Sequence, residues 1–415
     1  MQPTGETTPR RWSTTCCIVG GGPAGMMLGF LLARAGIEVV VLEKHRDFLR
    51  DFRGDTIHPS TLQVLRELGL FEAFRPLLQN EIRTLDVVVN GARVTPVDFS
   101  SLRGPCAFLG LAPQWDFLDF LAARAAAFPT FRLAMGAEAT ELVRDGGRVV
   151  GVRATLPDGE VEVRADLTVA ADGRDSTVRR QAGLPVHEFG VPIDVLWFRL
   201  PKPAGETPQT LAYLDAGEMV ITIDRGSYLQ TGMLIAKGQL PQIRAEGMDR
   251  LRHRVAAAAP VLHEVVGSLT DWDQVKLLSV QVNRLRRWHL PGLLCIGDAA
   301  HAMSPAFGVG VNYAVQDAVA AANALAGPLR RGTVTDKDLA AVQRRRRPPT
   351  TVMQSIQVLL HRRITRPGGL AVRLPDRLPA PVGAAGRVAL PAFRWLAARL
   401  IGLGFRPEHV HVDAG

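Results

Sequence analysis

The run Gly20-Gly21-Gly22-Pro23-Ala24-Gly25 follows the apolar stretch Cys16-Cys17-Ile18-Val19, and Glu43 closes the next apolar stretch, Val39-Val40-Val41-Leu42. These residue types suit the binding of a dinucleotide. Gly20 permits a tight turn out of a strand, Gly22 lets the backbone approach a pyrophosphate, and Gly25 lets the following helix lie close to the sheet. Glu43 stands about 20 residues beyond the glycines, where a carboxylate accepts hydrogen bonds from both ribose hydroxyls and disfavours a 2′-phosphate. A lone glycine-rich turn is often only structural. Here strand, glycines, an apolar helix from Met26 to Ala35 stopped by Gly36, a second strand and the acid occur in order, which predicts a βαβ unit.

Two more stretches carry chemistry. Asp172-Gly173-Arg174-Asp175-Ser176-Thr177-Val178-Arg179 follows an apolar strand, and Asp172 with Arg179 could brace a turn between domains. Gly297-Asp298-Ala299-Ala300-His301 follows the apolar run Leu293 to Ile296 and leads to Pro305, Gly308, Gly310 and Asn312. A carboxylate at a strand end can bind a hydroxyl chain, and glycines opening a helix can present backbone amides to an anion.

With the N-terminal glycines, these stretches resemble the three motifs of FAD-dependent (class A) monooxygenases of the para-hydroxybenzoate hydroxylase type, over roughly residues 13–330. The resemblance implies an α/β fold: a Rossmann-like FAD-binding domain of the glutathione reductase type, an inserted β-sheet substrate domain and a C-terminal helical tail. It implies noncovalent FAD at Gly20, Gly22, Pro23, Ala24, Glu43, Lys44, Arg53, Gln114, Asp172, Gly173, Asp298, Pro305, Gly308, Val309, Gly310, Val311 and Asn312. NAD(P)H would bind transiently to reduce the flavin. A flavin C4a-hydroperoxide formed with O2 would then oxygenate an electron-rich aromatic or polyketide-like small molecule. Relatives carry glycine where this chain has Phe307, beside the expected flavin ring. The thioredoxin-like C-terminal extension found in some relatives is not expected.

The residue that activates the substrate is not assigned. Arg225, Tyr228 and Phe307 are pocket candidates, with Trp197, His58 and His301 also near the expected site. Flavin halogenases share the fold but carry a Trp-x-Trp pair, which this sequence lacks. An FAD reductase acting on polyprenyl chains, or a non-enzymatic FAD-binding protein, would share the same cofactor motifs.

Positioning these residues requires a chain that leaves the nucleotide domain and returns. The pattern gives FAD-binding segments at 13–80, 113–183 and 285–334, substrate-side strands at 81–112, a strand-rich substrate domain at 184–284 and a helical region at 335–415. Val87-Val88-Val89-Asn90-Gly91 predicts a strand entering a type I′ hairpin. At 415 residues with 47% hydrophobic and 21% charged side chains, the chain has the composition of a globular protein with more than one core. The net charge of +9 comes from arginines spread along the sequence, which argues against nucleic-acid binding. The densest run, Arg344 to Arg347, reads as a solvated helix end before Pro348-Pro349. Cys16, Cys17, Cys106 and Cys295 show no CxxC or zinc spacing, so no metal is expected and a cytoplasmic location is. No stretch predicts a membrane span; the apolar segment around Phe393 to Ile401 predicts an amphipathic helix packed on the body or resting weakly on a membrane surface.

Overall fold

Strand β1 (Arg10–Val19) lies between two parallel partners, β2 (Val39–Glu43) and Gly159–Ala170, in a computed structural model that describes residues 10–49, 56–204, 210–215, 217–366, 369–370 and 391–412. Phe131–Met135 continues the parallel sheet beyond β2, and Leu293–Cys295 continues it beyond Gly159–Ala170. An antiparallel meander, Glu138–Asp145 and Arg148–Leu156, leaves its side. Strands covered on both faces need apolar residues at every position, and Cys16 to Val19 is buried throughout. Helix α1 (Pro23–Arg34) is buried from Ala24 to Ala33 because Gln114–Ala125 and α2 (Gly310–Arg330) flank it. Its approach to the sheet depends on two glycines. A Cβ at Gly20, where φ is +106°, would lie 2.3 Å from the Ala171 carbonyl oxygen, and one at Gly25 would lie 1.9 Å from that of Gly20.

A second, seven-stranded sheet draws on two separate stretches of chain. Its order is Lys276–Ser279, β3 (Ile193–Pro201), β5 (Tyr228–Ala236), β4 (Glu218–Asp224), Thr210–Asp215, Thr84–Val89 and Ala92–Asp98. The last two strands form a two-residue hairpin at Asn90 and Gly91, both with positive φ, as a type I′ turn requires. Alternation divides the faces. Leu196, Phe198 and Leu200 pack beneath the helices Leu240–Glu246 and Met248–Ala258, while Val195 and Trp197 face the opposite way. Thr56–Ile57, Leu109–Leu111 and Asn80–Ile82 form a small separate sheet.

The C-terminal region begins with the long helix expected from Thr335 to about Arg363, but its arginine run departs from expectation. Helix α3 (Asp336–Ile364) continues through Pro348 and Pro349, so the arginine run is not a solvated helix end: Arg346 is 1% exposed. It donates from Nε to Asp317 at 2.9 Å and from a terminal nitrogen to Glu408 at 3.2 Å. The predicted amphipathic helix occupies residues 391–398 and ends in a wide π turn, Arg399–Leu403. It packs on the body, burying Ala398 and Ile401 while leaving Phe393, Trp395 and Leu396 half exposed. All four cysteines are free and buried, and burial pushes the Cys17 thiol up to about 12. Among the described residues no helix is long and apolar enough to cross a membrane.

Candidate active site

A cavity of about 1350 Å³ runs from the β1–α1 turn to the inward face of the seven-stranded sheet. Single-ligand pockets span roughly 300–1,000 Å³, so this space suits a dinucleotide and a second molecule together. Gly20, Gly22, Pro23, Ala24, Glu43, Lys44 and Gln114 line one end, with Asp172, Gly173, Asp298, Pro305, Gly308, Gly310 and Val311. Three distant motifs meet there because their strands are neighbours in one parallel sheet, whose carboxyl ends open into the crevice.

The backbone orients Glu43. Its Oε2 accepts from the Gly21 amide at 2.8 Å and its Oε1 from the His45 amide at 3.0 Å, which fixes the carboxylate at the cavity edge. Gly22 and Gly310 each open a helix, and a Cβ at either would meet nothing within 4 Å. Packing therefore leaves clearance at both helix N-termini, as the approach of a pyrophosphate and a flavin edge requires. Asp298 keeps a third of its side chain exposed, with Arg174 3.4 Å away. This donor set fits FAD.

Asp172 and Arg179 do not brace one another. Asp172 accepts from the Ser176 hydroxyl and the Val178 amide, capping the short helix Thr177–Gln181, and burial pushes its carboxyl above the usual range. Arg179 instead reaches the carbonyls of Ala299 and Arg174, tying the second motif to the third. Val309 and Asn312 turn their side chains away from the cavity. Asn312 accepts from Ser60 and Thr61, and Val309 joins the core around Met303 and Tyr313. Arg53 lies outside the described residues.

Of the pocket candidates, Phe307 and Trp197 line the cavity. Arg225 and Tyr228 do not, although their chain neighbours Asp224 and Leu229 do: Arg225 sits in the turn after β4, and Tyr228 begins β5, where Arg199 lies over its ring. His58 is buried between the carbonyls of Ile401 and Gly308, and burial pushes it down to about 4. His301 is committed to Asp317 at 2.6 Å. Neither histidine lines the cavity.

The sequence reading missed the wall supplied by α3. Gln354, Gln357 and His361 recur on one helix face; Gln354 donates to the carbonyls of Asn283 and Ala302, and Gln357 and His361 grip the loop that carries Pro305 and Phe307. Gln357 accepts from the Ser304 amide and donates to the carbonyls of Ser304 and Ala306, each near 3.1 Å. His361 Nε2 lies 2.7 Å from the Ser304 hydroxyl, which also accepts from the Ala306 amide. A polar stripe at spacings of three and four on an otherwise partly apolar helix was the available signal.

Residues 13–355 match the FAD binding domain family. The chain is 34% identical over 386 residues to the 6-methylpretetramide 4-monooxygenase of Streptomyces rimosus, covering 91% of this chain and 92% of that protein. It is 29% identical over 349 residues to the 12-dehydrotetracycline 5-monooxygenase/anhydrotetracycline 6-monooxygenase of Streptomyces rimosus subsp. rimosus, covering 80% and 66%. The crystal structure of PqsL from Pseudomonas aeruginosa shares the fold, with a TM-score of 0.73 at 23% identity over 84% of this chain and 96% of that one. The three motifs meeting at one cradle, and a family match spanning most of the sequence, make this chain an FAD-dependent monooxygenase of the aromatic-hydroxylase-type flavoprotein family.

Proposed function

We propose that this enzyme uses NAD(P)H and O2 to hydroxylate an electron-rich, polycyclic aromatic substrate of the polyketide type. The observation that carries this reading is the continuity of the FAD cradle with the apolar sheet face formed by Val195, Trp197, Met219, Ile221 and Leu234. The name of the similar 6-methylpretetramide enzyme supports the substrate class. Bound FAD would accept a hydride from NAD(P)H and, with O2, supply the oxygen atom; substrate, O2, NAD(P)H and a proton give hydroxylated product, water and NAD(P)+.

The chain's own residues do the positioning. Gly22 and Gly310 give the cofactor close approach, Glu43 takes the ribose hydroxyls, and Asp298 takes the ribityl chain. Phe307, Leu360 and Ile401 on the cavity wall keep water from the reacting atoms. The four buried thiols suit a reducing compartment, and we place the enzyme in the cytoplasm.

Incubating the FAD-loaded enzyme with NADPH or NADH, 18O2 and a panel of polycyclic phenols tests the reading. One 18O per product, with one reductant consumed, is expected. Reductant consumption that yields only hydrogen peroxide across the panel overturns the substrate class. Anaerobic saturation of a polyprenyl chain instead would favour a reductase of the same fold.

A further inference from the structure

Among the described residues, three side chains on the cavity wall carry a buried polar atom with no hydrogen-bond partner: Trp197, Gln230 and His361. His361 already engages Ser304 through its other nitrogen. Trp197 and Gln230 belong together. Trp197 pairs with Gly232 across β3 and β5, and Gln230 stands two residues before Gly232, on the same face of β5.

Gly232 determines how the indole lies. A Cβ at that position would come within 2.8–3.0 Å of three atoms of the six-membered ring, so the ring sits directly over the glycine backbone. The tryptophan therefore floors the substrate end of the cavity, with Val195, Leu234, Met219 and Ile221 around it. Gln230 is 3% exposed and Trp197 8%, and the unpartnered atoms are the amide Nε2 and the indole Nε1. An indole N–H only donates. Buried donors without acceptors are costly and few in native proteins; Trp197 lies among apolar side chains, and Gln230 is paired across the sheet with Arg199 and Ile223, neither side chain an acceptor. The group they lack is an acceptor; both atoms are closed off from the cavity, so a ligand oxygen would reach them only as the side chains turn toward it.

The geometry points to a specificity pair: the Trp197 indole N–H and the Gln230 amide bind a ring carbonyl oxygen of a flat polycyclic substrate lying against the sheet. This rests on the proposed substrate class and adds which of the chain's residues recognise it.

Calorimetric titration of the FAD-loaded protein with 2-hydroxyfluorenone and 2-hydroxyfluorene, which differ by one carbonyl oxygen, tests the pair. The wild type should bind the ketone about tenfold more tightly. Trp197→Phe and Gln230→Leu should each reduce that preference, and the double variant should abolish it, with affinity for 2-hydroxyfluorene within about twofold and FAD absorbance retained. Gly232→Ala, which displaces the indole without removing a donor, should also lower it. A preference intact in the double variant, no preference in the wild type, or equal loss for both probes overturns the pair. Binding of neither probe by the wild type instead overturns the substrate class on which it rests.

Discussion

Phe307 holds a φ of +69°, a left-handed conformation that L residues with a side chain adopt at a cost of about 1–2 kcal/mol. Its neighbour Gly308, at +63°, is held by the Thr56 hydroxyl and His58 ring at its carbonyl, and a Cβ there would strike the Thr56 hydroxyl. The sequence shows only a phenylalanine; that its backbone takes a conformation that favours glycine is visible only in the structure. The strain is retained because the ring lines the cavity and packs against the cluster of Met303, Val309 and Met353. Phe307→Gly should remove the strain and about as much packing, leaving thermal stability within a few degrees of wild type. The void should admit water, so the fraction of NAD(P)H oxidised without product should rise and the range of accepted substrates widen. Coupling ratios measured across several phenols check this. Unchanged coupling and range would assign the ring a packing role alone.

At the scale of elements, the βαβ unit and the three motifs were legible because each is a local pattern: a strand period, a glycine where Cβ has no room, an acid at a strand end. Helix α3 was legible as a long helix from Thr335 to about Arg363, but the burial of its arginine run was not, since two consecutive prolines make that run read as a solvated end. Arg346 anchored to Asp317 and Glu408 just before the prolines, with Val342 and Met353 buried on either side, hold the helix through them. This continuity carries His361 to the cavity. Burial pushes His361 down to about 4 from its ordinary 6.5, so the unfolded chain takes up the proton first. Its contribution is fully present above pH 6.5 and is lost as pH falls toward 4, by about 3 kcal/mol in all. His58, pushed to about 4 as well, acts in the same direction. His361→Gln should therefore flatten the pH dependence of urea-unfolding stability between pH 6.5 and 4 without abolishing it. A variant whose pH dependence parallels the wild type would show that His361 does not titrate in that window.

At the scale of the molecule, the C-terminal arm is threaded into the nucleotide domain by polar contacts that no local pattern announces. Glu408 binds both Arg345 and Arg346, His409 binds Glu67, and the Val412 carbonyl accepts from Arg34. At the centre lies Asp317, wholly buried. Burial alone would raise its carboxyl, but His301 and Arg346 hold it below the usual carboxylate range. Asp317 also accepts from the Gly297 amide at 3.0 Å, the residue before Asp298, so the cluster joins the tail to the flavin end of the cavity. Removing one partner from such a pair strands a buried charge. Arg346→Met should cost about 3–5 kcal/mol and loosen the Gly297–Asp298 turn, lowering FAD retention on gel filtration. Adding Asp317→Asn removes the stranded charge and should restore part of the stability, because a buried pair and its neutral replacement differ less than a pair and its half. Urea unfolding of the two single variants and the double variant measures the coupling. A loss below about 1 kcal/mol in Arg346→Met, or strict additivity in the double variant, would mean that the arm is held by its apolar contacts and not by this cluster.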